Sequence, residues 1–338
     1  RQYESMPLIM GQHRMFFDMG SKPFTEYHGE DQYLYQIFHR GLSTSSFTDY
    51  QIGNNDLSNY QDWSWNYQDQ YGKIESFPGN VDSAQGTALE AASGWVIRTT
   101  SINTYRIGLD LEATMYYANN AGGLDTTSVQ LRVQYRAVGS STWIDPSVIT
   151  ITGTGFVSGQ YENYQQWVPS GYNDWVWTEG EEGWNQSYTW IDTSHYETRA
   201  RYVTGSGNIV IVSGNTQAPR RATLFIDVPT GQYEVRIIRD TPDSTDARLA
   251  NKTNWSTIRS YQTDNATYYG QDRIGLTIRA SEQLNGVVQQ LSALGSAKAN
   301  YWNGSAFVFA ETSNPAHWYM DFALGRKNSQ GKLMYGIG

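Results

Sequence analysis

The residues able to carry chemistry are few and scattered. Five histidines stand at 13, 28, 39, 195 and 317, each on a different segment and none at a metal-ligand spacing from another. His13 and His39 each precede an arginine in an extended segment, where a structural role is the expectation. Asp240, Asp243 and Asp246 recur every three residues. A calcium loop alternates its ligands at every second position, so these three read as turn and capping carboxylates. No Gly-x-Ser-x-Gly elbow, phosphate-binding loop or His-Glu-x-x-His occurs. The arrangement nearest to a reaction centre places Glu179, Glu181 and Glu182 between Trp177 and Trp184. Glycosidases set two carboxylates beside aromatic platforms, but three acids crowded into one glycine-flanked turn read as a solvated loop tip. The sequence therefore assigns no catalytic residue, no cofactor and no metal ligand, and an enzyme is not expected.

The elements that would position these residues are mostly strands. From Ala222 to Asp240, Leu224, Ile226 and Val228 point to one face and Thr223 and Asp227 to the other. Pro229, Thr230 and Gly231 then reverse the chain, and Tyr233, Val235 and Ile237 resume the alternation, which predicts a β-hairpin. The same period places Ile107, Leu109 and Leu111 inward between Tyr105 and Glu112, and Val129, Leu131, Val133 and Tyr135 inward between Ser128 and Tyr135. Three separated segments with matching apolar faces predict a two-layer β domain.

Upstream, the strand within residues 29–41 is apolar on both faces, with Leu34, Gln36 and Phe38 on one and Tyr33, Tyr35, Ile37 and His39 on the other. With the strand Phe47 to Ile52 and the turn at 53–56 it suggests a small barrel or half-barrel; residues 60–93 read as connection and edge. Residues 156–218 break the rhythm, being rich in aromatics and free of lysine. They read as an insertion between two strands of one sandwich, since loop closure entropy grows slowly with length. Its Trp175, Trp177, Trp184 and Trp190 are candidates for a surface contact with glycans.

Downstream, a short helical turn is expected at 246–251, and strands at 254–261 and 273–279. Ser281 as N-cap, Glu282, the spacing of Leu284, Val287, Val288, Leu291 and Leu294, and Gly295 as a stop predict a helix. A hairpin turns at Asn303 and Gly304. A second helix begins at Asn314 and Pro315 and ends at Leu324 and Gly325. Trp318, Tyr319 and Phe322 make one face of it too aromatic for solvent and are candidate intersubunit contacts.

A chain of 338 residues suggests two or three domains. It has no cysteine, so neither disulfides nor thiolate metal sites stabilise it, and no apolar run of membrane-spanning length, so no stable anchor is expected. A net charge of -9 with no basic run argues against a nucleic-acid grip. Charged residues make up 17%, below the usual fraction of about a quarter, while aromatics make up 14%. That balance suits protein or sugar interfaces, although strands also favour aromatics. With Arg1 first and no tail after Gly338, the chain reads as a piece of a longer polypeptide.

Eight segments occur in an order that carries a resemblance: Pro7 to Arg14, Thr25 to Leu34, Gly94 to Thr100, Val133 to Arg136, Pro229 to Arg236, Asp243 to Arg248, Ser281 to Gly286 and Ser313 to Ala316. They resemble the host-specificity, or tip attachment, proteins of lambda-like siphophages over residues 5–152 and 219–325, with 156–218 departing from the family pattern. The resemblance implies a virion protein at the tail tip, made in the bacterial cytoplasm. It implies a homotrimeric hub that closes the distal tail tube, contacts distal tail and tape measure proteins, joins a central fibre and opens for genome ejection. DNA would be met only in transit, and the host receptor would be bound by regions outside this chain. The expected architecture is mainly β, a multi-domain hub of small β-barrel and β-sandwich modules with two short helices near the C-terminus. Its expected modules are 1–93, a sandwich of 94–260 interrupted at 156–218, and an α+β module of 261–338.

Overall fold

The computed structural model describes residues 8–42, 45–69, 71–180, 183–205, 207–281, 284, 287–328 and 330–338, with side chains undescribed at 161, 163, 164, 172–180, 183–190 and 200–202. Strands dominate, as the period-two pattern requires, and two sheets form the sandwich. The first has the strand order Thr150–Ile151, Thr216–Gly231, Thr104–Ala118, Leu249–Gln262, Asn80–Leu89. The second runs His195–Thr204, Phe156–Val168, Ile209–Gly214, Thr127–Ala137, Tyr233–Arg239, Val96–Thr99. Between them lies one core that includes Ile107, Leu109, Leu111, Val129, Leu131, Val133, Leu224, Ile226, Val235, Ile237 and Trp255. Every position expected to face inward does so, with Tyr135 packed at the margin.

The predicted 222–240 hairpin is corrected by the pairing. Thr216–Gly231 bonds to Thr104–Ala118 in the first sheet, whereas Tyr233–Arg239 bonds to Thr127–Ala137 in the second. The turn at 229–231 therefore crosses between layers. Alternation determines which face of a strand is apolar, but two inward faces meet equally well across a core as along a ladder.

The 156–218 segment is likewise not wholly outside the sandwich. Phe156, Val210 and Val212 are core residues, and Ile209–Gly214 pairs with Thr127–Ala137. The excursion is the ribbon beyond them: Phe156–Val168 against His195–Thr204, continued by Gly171–Gly180 against Gly183–Asp192.

The remaining strands form a second body. One sheet orders Gln12–Phe16, Leu291–Trp302, Ser45–Ile52 and Asn55–Asp56, with Phe307–Glu311 on the Leu291–Trp302 strand; the other orders Asp18–Met19, Asp31–Leu42, Gln271–Arg279 and Trp63–Tyr67, with Phe24–His28 on Asp31–Leu42. Both ends of the chain build its core, which joins Phe17, Leu34, Phe38 and Ile52 to Ile274, Leu276, Leu284, Val288 and Leu291. The Asp31–Leu42 strand is covered on both faces, as its sequence suggested: Leu34 and Phe38 face that core, and Ile37 faces a third cluster with Phe24, Phe77, Phe225 and Tyr261 that joins the two bodies.

Among the described residues one α-helix is present near the C-terminus, Pro315–Leu324 (α1). Where a helix is expected from Ser281, residues 287–290 carry no regular secondary structure and the strand Leu291–Trp302 follows, residues 282, 283, 285 and 286 lying outside the described ones. Buried Gln36 supplies the reason. Its amide nitrogen donates to the Val288 carbonyl at 3.0 Å and its oxygen accepts from the Val288 N–H at 3.0 Å, so a side chain satisfies the peptide groups that helical bonds would have used. At 246–251 there is a turn followed by the strand Leu249–Gln262, not a helix.

Candidate assembly surfaces

The α1 helix starts where its cap chemistry places it. The Asn314 side chain accepts from the Ala316 N–H at 3.0 Å, and Pro315 fills the first turn. Gly325, at φ 66°, ends it in a conformation that side-chain-bearing residues seldom adopt. Two buried side chains fix the helix to the Leu291–Trp302 strand. Trp318 packs with Ile9, Ala297 and Ala299 and donates its indole N–H to the Thr312 carbonyl at 3.0 Å. Asp321 accepts from the Asn300 backbone N–H at 2.7 Å and from its amide at 2.9 Å.

The three aromatics singled out on this helix thus divide. Trp318 is 5% exposed and anchors the helix, whereas Tyr319 is 77% and Phe322 41% exposed. Together with Met10, Gly11, Ser313 and Pro315 they line an open cavity of about 470 Å³. Met10 and Gly11 carry no sequence signal for this role, because only the pairing of Gln12–Phe16 with Leu291–Trp302 brings them there.

In the ribbon, the register pairs Asn173 with Trp190, Trp175 with Tyr188, Trp177 with Gln186 and Glu179 with Trp184. Directly opposed residues share a face, so all four candidate tryptophans occupy positions on the same face of the hairpin. Their side chains lie outside the described ones, as do residues Glu181 and Glu182. Nearer the sandwich, Trp167 and Tyr196 meet edge to face at 4.9 Å.

The remaining polar candidates do not converge. His13 bonds to the Met10 carbonyl, His28 to the Tyr35 hydroxyl, His195 to Glu197 and His317 to Thr312. Asp240 pairs with Arg132 at 2.6 Å, Asp243 accepts from the Ala91 and Ala92 N–H groups, and Asp246 accepts from that of Arg248. The two backbone bonds hold the Asp243 carboxyl below the usual carboxylate range. Among the described residues no three histidine, aspartate or glutamate side chains group as a metal site, and no helix is long and apolar enough to cross a membrane.

On the outer face of the second sheet the Arg236 guanidinium lies 4.0 Å from both the Trp95 and Trp143 ring centres, and Arg136 lies 4.3 Å from Trp143. Where the chain crosses between layers, the Tyr233 hydroxyl donates to the Pro229 carbonyl four residues back, the tyrosine-corner bond of immunoglobulin-like sandwiches. A family model for the FNIII-A domain of tip attachment protein J matches residues 80–176 and 190–264, just over half of the chain. The chain belongs to that family. No curated protein matches it. Membership in the tip attachment protein J family makes it a structural component of the phage virion tail tip, associated with other tail components. The match begins at the Asn80–Leu89 strand, which pairs with Leu249–Gln262 at the sandwich edge. It is interrupted only at 177–189. The expectation that all of 156–218 departs from the family pattern is therefore corrected to the ribbon tip.

Proposed function

We propose that this tip attachment protein J family member works by assembly and opening, as a homotrimeric hub that closes the distal tail tube, connects it to the central fibre and releases the genome after host attachment. Its partners in this reading are distal tail and tape measure proteins, with DNA met only in transit and the receptor bound by other parts of the virion. The observation that carries it is the pairing of family membership with the apolar surface of Tyr319 and Phe322 on a helix held rigid by Trp318 and Asp321. A rigid, exposed aromatic pair beside a cavity is suited to a permanent interface, and a repeated contact must close into a ring to avoid filaments. The sandwich, expected at 94–260 and including the Asn80–Leu89 strand, is one working module, and the segments before and after it, which share a core, act together as the hub module.

Sedimentation of the 338-residue chain tests this. The wild type is expected to form trimers, and Tyr319→Ala with Phe322→Ala to weaken them while the fold persists. A wild type that stays monomeric at every concentration overturns the ring. Duplex DNA is expected to bind weakly, in line with the net charge of -9. Hydrolysis of host glycan or peptide by the pure chain, abolished by Glu181→Gln, would refute a non-enzymatic role.

The ribbon register favours a second reading, carbohydrate contact. Four tryptophan positions share a face with Asn173 and Gln186, and no lysine or arginine occurs from 171 to 192. Neutral glycans fit such a face better than anionic ones. Saturable quenching of tryptophan fluorescence by host surface oligosaccharide, lost on removing the hairpin, is the expected sign.

A further inference from the structure

A polar cavity of about 330 Å³ lies where two turns, one at Asp69 and Gly72 and one at 268–271, meet the short strand Arg326–Lys327 and Asn328 after it. Two arginines are associated with it. Arg326 lines it, with its guanidinium stacked 4.2 Å from the Phe309 ring centre and a buried Nη1 that has no hydrogen-bond partner. Arg273 stands behind the wall, 3% exposed, 3.6 Å from the ring centre of Tyr268, which lines the cavity. Its Nη1 donates to the Gly72 carbonyl at 3.0 Å, its Nε is buried without a partner, and no carboxylate among the described residues pairs with it.

A guanidinium nitrogen deprived of water and of an acceptor is costly. Burial accordingly holds Arg273 below the usual arginine range. Lys327 adds a third cation to the surroundings. The carboxylate in the wall, Asp69, is engaged otherwise: one of its oxygens accepts from the Tyr71 and Lys73 N–H groups at 2.8 Å and shapes its own turn. The wall thus sets two cationic side chains, Arg326 and Lys327, against one carboxylate that is already engaged in its own turn, which disfavours a cation.

We propose that this cavity binds a small oxyanion, a phosphate or a carboxylate group, through Arg326, Lys327 and the field of Arg273. Bound there, the anion ties the strand pair Arg326–Lys327 and Leu333–Tyr335 to the turns that flank the Gln271–Arg279 strand. Planar guanidinium forks match both oxyanions, so the test uses each.

The 338-residue chain is titrated with inorganic phosphate, with acetate and with chloride at matched ionic strength, and its thermal midpoint is followed. A saturable rise with phosphate or with acetate, absent with chloride, is the expected result, and the stronger of the two identifies the group preferred. Arg326→Gln is expected to abolish the saturable rise, and Lys327→Gln to weaken it about tenfold. Arg273→Met tests the buried cation but risks the fold, so the outcome rests on the two surface-side variants. Either of two results overturns the site: both anions behaving as chloride does, or Arg326→Gln keeping the wild-type titration midpoint.

Discussion

Arg259 and Asp110 form an ion pair whose side chains are 7% and 3% exposed, on the outer face of the first sandwich sheet where the Phe24–His28 strand covers it. The pair is the centre of a polar seam. Thr223 donates to Asp110 at 2.8 Å and accepts from the Tyr27 N–H at 2.9 Å; Arg259 donates to Thr25 at 3.1 Å, and the Tyr261 hydroxyl to Glu26 at 2.8 Å. The sandwich is thus joined to the other body by a buried polar contact beside the small aromatic cluster of Phe24, Phe225 and Tyr261.

Breaking one half of such a pair leaves a buried charge without compensation. Asp110→Ala is expected to cost about 3–5 kcal/mol, whereas Asp110→Leu combined with Arg259→Met costs less than either single change. Urea unfolding of Asp110→Ala, of each single change and of the double variant measures this, and additive losses would show that the pair is not coupled.

In the sandwich core, Ile226 is 2% exposed. Ile226→Ala is expected to destabilise by about 2–5 kcal/mol, read from the denaturation midpoint at unchanged slope. A neutral outcome would mean that this strand presents its other face to the core.

The ribbon tip should be dispensable to the fold. At its base the Thr193 N–H donates to the Ser170 carbonyl at 3.0 Å, so the two ends are already adjacent. Replacing 171–192 with a short Gly/Ser turn is expected to preserve a single cooperative transition. Extending the deletion to 156–218 is expected to abolish it, because Phe156, Val210 and Val212 leave the core.

His39 supplies a pH dependence. Burial first, and then the positive charge of Arg273 on the neighbouring strand, hold its imidazole below the ordinary histidine value, while Asp18 acts in the opposite direction. The unfolded chain therefore binds the proton more tightly than the folded one. The stabilisation is fully present above the ordinary value of about 6.5 and is lost as pH falls through it towards the folded value. Stability measured from pH 7.5 to 5 should decline more in the wild type than in His39→Gln; parallel profiles would exclude this contribution.

Period-two alternation was enough to find the sandwich strands around Leu109, Leu131, Leu224 and Val235 and their buried faces, because each strand must turn its apolar side to a core whatever its neighbours are. Cap chemistry at Asn314, Pro315 and Gly325 located α1 for the same local reason. Ordered motifs from both ends of the chain pointed to the family. Pairing was beyond such signals. The turn at 229–231 joins two layers, Gln36 holds Val288 out of a helix from more than two hundred residues away, and Trp318 is withdrawn from solvent by Ile9. These outcomes depend on which distant surfaces meet. A residue's own neighbours in sequence determine the face it presents, but only the closed tertiary structure decides what that face touches, because the same apolar edge is equally satisfied by a ladder, an opposing sheet or another subunit.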